Sequence, residues 1–114
     1  MDDMAGAEIL TEAHGLITGP RQAEYDHPHD DYSKVANLFR IITGIDLTVD
    51  EAVMFMVCVK LARLATNHQA NRWKHDTLLD TIGYLGCLNM VRHRRAALRR
   101  EYEHEYESPG HVHE

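Results

Sequence analysis

Thr48-Val49-Asp50-Glu51-Ala52-Val53-Met54-Phe55-Met56-Val57-Cys58-Val59-Lys60-Leu61-Ala62-Arg63-Leu64 is the stretch whose reading decides the fold. Its first four residues form the S/T-x-x-E pattern of a capping box, in which side-chain and backbone groups satisfy each other across the first turn of a helix. Val53 to Val59 is apolar on every side, so periodicity alone does not separate a helix from a buried strand. The cap and the length decide for helix. The pattern runs on through Lys60, Ala62 and Leu64 with no Gly or Pro, enough for about five turns. A helix apolar all round is expected to be surrounded by protein, at the centre of a bundle or at a subunit contact.

The flanking sequence adds three more helices and no strand. Ile9, Leu10, Ala13, Leu16 and Ile17 recur at three and four residues from Ala7 to Ile17, and Gly19-Pro20 stops that helix. A polar loop follows from Arg21 to Asp31. The second helix begins near His29 to Asp31, with acids at its positive end, and ends at Gly44. Residues 66–75 read as a polar connection anchored by Trp73. The last helix starts near His75 or Asp76 and buries Leu79, Ile82, Leu85, Leu88 and Met90, while Gly83 and Gly86 admit a close neighbour. The expectation is an all-α, four-helix domain over residues 6–100, with 101–114 a polar C-terminal tail.

Composition narrows the function classes. The 114 residues suit one core, and the formal net charge of −6 argues against a general nucleic-acid surface. Met1-Asp2-Asp3-Met4 resembles no secretory leader, and no apolar run approaches the length of a membrane span. Cys58 and Cys87 each lie in an apolar segment and read as buried thiols of a reducing compartment, so the expected location is the cytoplasm.

Lys60 and Arg63 share a helical face and can reach one partner. A counter-charge is required there, and Asp80 is the nearest candidate by pattern. The pair is either an internal ion pair or a phosphate contact, with Asp80 then holding a metal or orienting water. Asp76 and Asp80, one turn apart, could share Mg²⁺, although Asp76 also suits a helix cap. In the loop, Arg21 offers a planar fork for phosphate and Tyr25 a ring for stacking. His27 and His29 beside Asp30 and Asp31 match no standard zinc spacing. Arg92, Arg94, Arg95, Arg99 and Arg100, followed by Glu101, Glu103, Glu105 and Glu107, read as an exposed, self-neutralising helix end.

Four pieces in order carry a resemblance: Glu8-Ile9-Leu10-Thr11-Glu12-Ala13, Gly19-Pro20-Arg21-Gln22-Ala23-Glu24-Tyr25, Lys60-Leu61-Ala62-Arg63-Leu64 and Asp80-Thr81-Ile82-Gly83-Tyr84. Together they resemble a family of small phage proteins classed as a domain of unknown function, over residues 8 to about 91. Asp26 stands where that family usually has Gly. The family is in turn similar to MazG-like all-α nucleotide pyrophosphohydrolases, which are helical and usually oligomeric. The resemblance implies a Mg²⁺-dependent hydrolase acting on (d)NTPs. Asp80 and Glu12 would be catalytic, Asp76, Asp80 and Glu51 would hold the metal, and Arg21, Gln22, Tyr25, Lys60, Arg63 and Tyr84 would contact the nucleotide. The EExxE cluster of such enzymes is absent, and Thr77 stands where its later acidic motif would have Glu. The alternative is a non-catalytic phage accessory protein that binds or sequesters a nucleotide or engages a host protein. A homo-oligomer is expected in either case.

Overall fold

The computed structural model describes residues 4–19 and 27–107, and every regular element among them is helical. They are α1 (Ala5–Thr18), α2 (Pro28–Thr43), α3 (Val49–Gln69) and α4 (His75–Glu107). None of these helices is long and apolar enough to cross a membrane.

Local chemistry sets the helix ends. Pro28 sits in the first turn of α2, where its missing N–H costs nothing, and the His27 side chain accepts a hydrogen bond from the His29 N–H at 3.0 Å. Gly44 closes α2 in a left-handed conformation, φ 76°, and its N–H donates to the Arg40 carbonyl at 2.8 Å. The capping box of α3 forms as expected. The Glu51 N–H donates to Thr48 Oγ1 at 3.1 Å, and the Thr48 N–H donates to Glu51 Oε1 at 2.9 Å.

Two boundaries move. α3 continues to Gln69, leaving 70–74 as the connection, and Trp73 within it is exposed rather than an anchor. α4 continues to Glu107, so residues 101–107 are helical where a tail was expected. A uniformly polar run with alternating glutamates still has good helix propensity once the preceding turns are nucleated.

The helix α3 runs antiparallel to α4: Lys60 meets Asp80 near one end and Asp50 meets Arg92 and Arg95 near the other. α2 packs on both, whereas α1 touches α4 alone among the described helices. The core is small and built of small residues, with Val53 and Val91 fully enclosed beside Ala52, Leu64, Leu79, Ala13 and Ala36. Val91 belongs to the inner face of α4, whereas Leu85, expected there, is exposed.

The expectation that α3 is enclosed by protein fails within one chain. Met54, Phe55, Cys58 and Leu61 are exposed, so Cys58 is not a buried thiol; Cys87 is half-buried, and burial raises its pKa. The two glycines of α4 also part company. A Cβ on Gly86 would lie 3.1 Å from Ile17 Cδ1, so this glycine admits α1, while a Cβ on Gly83 would meet nothing within 4 Å.

Gly83→Ala is therefore expected to stabilise the domain by about 0.5–1 kcal/mol through helix propensity. Gly44→Ala is expected to cost about 1 kcal/mol, because the left-handed backbone disfavours a Cβ. Urea denaturation midpoints measure both, and a destabilised Gly83→Ala would contradict the open space at that position.

Candidate anion-binding cavity

Asp50 faces the seam between α3 and α4, in register with Val53, Val57, Lys60 and Leu64. Its side chain is only 9% exposed. A carboxylate so enclosed needs partners, because an unpaired buried charge costs several kcal/mol. α4 supplies two. Arg92 Nη1 donates to Asp50 Oδ2 at 3.0 Å, and Arg95 Nη1 donates to Oδ1. Desolvation works to raise the Asp50 pKa, but the Arg95 hydrogen bond, its own backbone N–H and the charges of Arg95 and Arg92 outweigh it and hold the carboxyl below its ordinary value.

Arg92, Arg95 and Arg99 recur at three and four residues and share one face of α4. With Arg100, His29 and Asp50 they line a cavity of about 850 Å³. Arg94 points elsewhere, its guanidinium 3.9 Å from Asp30 Oδ1. Among the described residues Arg99 alone, 3.6 Å from Glu103, makes an ion pair of the self-neutralising kind expected of this helix end. Four guanidiniums against one carboxylate give this cavity a positive balance on a chain whose formal net charge is −6. His29 Nδ1 is enclosed at its wall and has no hydrogen-bond partner among the described residues, with Asp30 Oδ1 at 3.5 Å.

The residues expected to form the site are distributed otherwise. Arg21, Gln22 and Tyr25 lie outside the described residues. Lys60 Nζ lies 3.0 Å from Asp80 Oδ2, with the lysine side chain 15% and the aspartate 41% exposed, so the two form a half-buried ion pair between α3 and α4. Arg63, exposed, lines a separate cleft of about 380 Å³ with Lys74, Thr66, Asn67 and Thr77. The two cations thus do not meet on one partner. Glu12 is exposed and lies 2.9 Å from His75 Nε2. Asp76 is exposed in the first turn of α4. Glu51 is held in the capping box and, nine residues before Lys60 on α3, sits about 13 Å along the axis from the Asp80 level. Among the described residues no group of three or more His, Cys, Asp or Glu side chains is placed to hold a metal ion. Tyr84 packs edge-on against Tyr32, ring centroids 6.5 Å apart, and burial followed by hydrogen bonding to Tyr84 pushes the Tyr32 phenol up.

Asp50 is the residue that sequence reasoning missed. It was absorbed into the capping pattern, yet its place on the apolar seam, with arginines at i, i+3 on a later helix, was a usable signal.

With this geometry in hand, comparison with known proteins places the chain in a family. Residues 8–92 match the family described as a domain of unknown function, DUF6378, and the chain belongs to it. It is similar to the Gene 55 protein of Mycobacterium phage D29, 29% identical over 83 residues that make up 73% of this chain and 52% of the relative. The Gene 55 protein of Mycobacterium phage L5 is 29% identical over 84 residues, 73% of this chain and 51% of that protein. The chain thus spans about half the length of these phage relatives. No solved structure matches it.

Asp50→Asn is expected to destabilise the domain by about 1–2 kcal/mol, at the lower end for a buried charged pair because both arginines are well exposed and can rehydrate. The sign with pH follows from the depressed pKa. The contribution is complete above the unfolded aspartate value of about 3.9 and is lost as pH falls through the lower folded value. Urea unfolding of both proteins should show a gap at neutral pH that closes in strong acid; a gap independent of pH would contradict the ion-pair assignment.

Proposed function

We propose that this domain is a phage accessory protein that binds a phosphate-bearing small molecule of the nucleotide class in the arginine-lined cavity, holding the ligand without hydrolysing it. The observation that carries this reading is the convergence of Arg92, Arg95, Arg99 and Arg100 on one cavity. Arg92 and Arg95 are oriented by Asp50, which fixes their forks before a ligand arrives. Arg99 and Arg100 extend the same surface outward. Guanidinium forks match phosphate oxygens in pairs, and a cavity of about 850 Å³ is of the size that small-molecule sites occupy.

Hydrolysis of (d)NTPs with Mg²⁺ is the reading that the MazG-like resemblance implies, and it requires carboxylates that converge on the metal. Asp80 is engaged by Lys60, Glu12 by His75, and Glu51 by the helix cap. This arrangement favours binding over turnover.

The test pairs two measurements on the whole chain. Thermal unfolding is followed with dATP, dAMP and pyrophosphate, each with and without Mg²⁺, and pyrophosphate release is assayed on the same samples. Stabilisation by the triphosphate without Mg²⁺, weakened by salt and lost in the Arg99→Ser, Arg100→Ser double variant, is the expected result. Both arginines lie outside the Asp50 clamp, so that variant keeps its fold. Stabilisation that needs Mg²⁺ and comes with pyrophosphate release would replace this reading by the hydrolytic one.

A further inference from the structure

Arginines account for the phosphates of a nucleotide but not for its base. Of the tyrosines expected to contact a nucleotide, Tyr84 packs edge-on against Tyr32, and Tyr25 lies outside the described residues. α4 carries another ring. Because this helix continues to Glu107, Tyr102 comes into register with the cavity. Arg92, Arg95, Arg99 and Tyr102 recur at three, four and three residues, all within about a quarter of the helix circumference. Every side chain from Leu98 to Glu105 is exposed, Tyr102 by 60%, so its ring is open to a ligand. Leu98, one turn before Tyr102, lines the cavity and adds apolar surface beside the ring.

The charge along α4 changes sign at the same place. The arginines end at Arg100, and Glu101, Glu103 and Glu105 follow. A phosphate is drawn to the first stretch and repelled by the second, whereas a neutral base is subject to neither force. A nucleotide lying along α4 is therefore oriented, with its phosphates toward Asp50 and its base toward Tyr102. The rise of an α-helix sets Tyr102 about 10 Å beyond Arg95 and about 4.5 Å beyond Arg99. A phosphate chain with its sugar bridges that span, and a single inorganic phosphate does not.

We propose that the ring of Tyr102 stacks on the base of a nucleoside polyphosphate whose phosphates lie among Arg92, Arg95 and Arg99. The inference rests on the phosphate-binding role proposed for the cavity and names the residue that separates a nucleotide from a bare polyphosphate. Every base has a π-face, so the ligand class is nucleoside polyphosphates with little preference among bases.

Calorimetric titration of the full chain with dATP and with inorganic tripolyphosphate, both without Mg²⁺, tests this. The same titrations are run on Tyr102→Phe, which keeps a ring, and on Tyr102→Leu, which keeps apolar surface and helix propensity without one. Helical circular dichroism of both variants is checked first, and the exposed position favours folding of each. The expected result is a loss of about tenfold or more in dATP affinity for Tyr102→Leu alone, with tripolyphosphate affinity unchanged in all three proteins. Unchanged dATP binding by Tyr102→Leu, an equal loss of both ligands, or a loss shared by Tyr102→Phe overturns the stacking role and leaves the phosphate site standing. If neither ligand binds the unsubstituted chain, both proposals fall together.

Discussion

A single buried carboxylate organises the rest of this structure. Asp50 lies on the seam between the two long helices, and the guanidiniums of Arg92 and Arg95 complete it from the facing helix. Residues of similar volume without charge could fill the same space at comparable stability. They would not select the register as an acid does, because apolar burial carries no directional requirement. An acid that must meet two forks admits one alignment. The alignment then places Lys60 at Asp80, buries Val53 and Val91 together, and turns Arg99 and Arg100 to the same side as the clamp.

Much of the architecture was legible in the amino-acid pattern, and for local reasons. The capping box at Thr48 and Glu51 and the glycine stop at Gly44 act within a few residues, so their reading needs no knowledge of neighbours, whereas Pro28, expected in the loop, heads α2. What failed depends on distant residues. An all-round apolar run says that α3 has a face to cover on each side, but not whether the cover comes from this chain. Leu85 was placed inside and Val91 overlooked because the phase of a long helix drifts relative to its partner, and only the partner fixes it.

The candidate site was less legible than the fold. Lys60 and Asp80 were correctly matched as a pair, yet charge pairing by sequence pattern cannot tell an internal brace from a ligand contact. The arginine run was read by its neighbours along the chain, the glutamates after it, whereas most of its members face partners from another helix or a cavity. Of the acids named for the metal or for catalysis, Glu51 is engaged by the cap, Asp80 by a lysine and Glu12 by a histidine, while Asp76 lies exposed in the first turn of α4. A titratable residue in a small helical domain is usually engaged by its surroundings, and convergence of several such residues is a property of tertiary structure alone.

The placement of α1 has a kinetic meaning. α3 follows α2 and α4 follows α3, so those two pairings close the shortest loops, and α2 then reaches α4 through Asp30 at Arg94. Among the described helices α1 touches α4 alone, through Glu12 at His75 and Ile17 against Gly86, contacts that span more than sixty residues. Topology of this kind favours early assembly of the three-helix unit, with α1 the last of the four helices to dock. The same helix is then the first to release in native-state fluctuations, and its amides exchange with solvent while those of α3 and α4 remain protected.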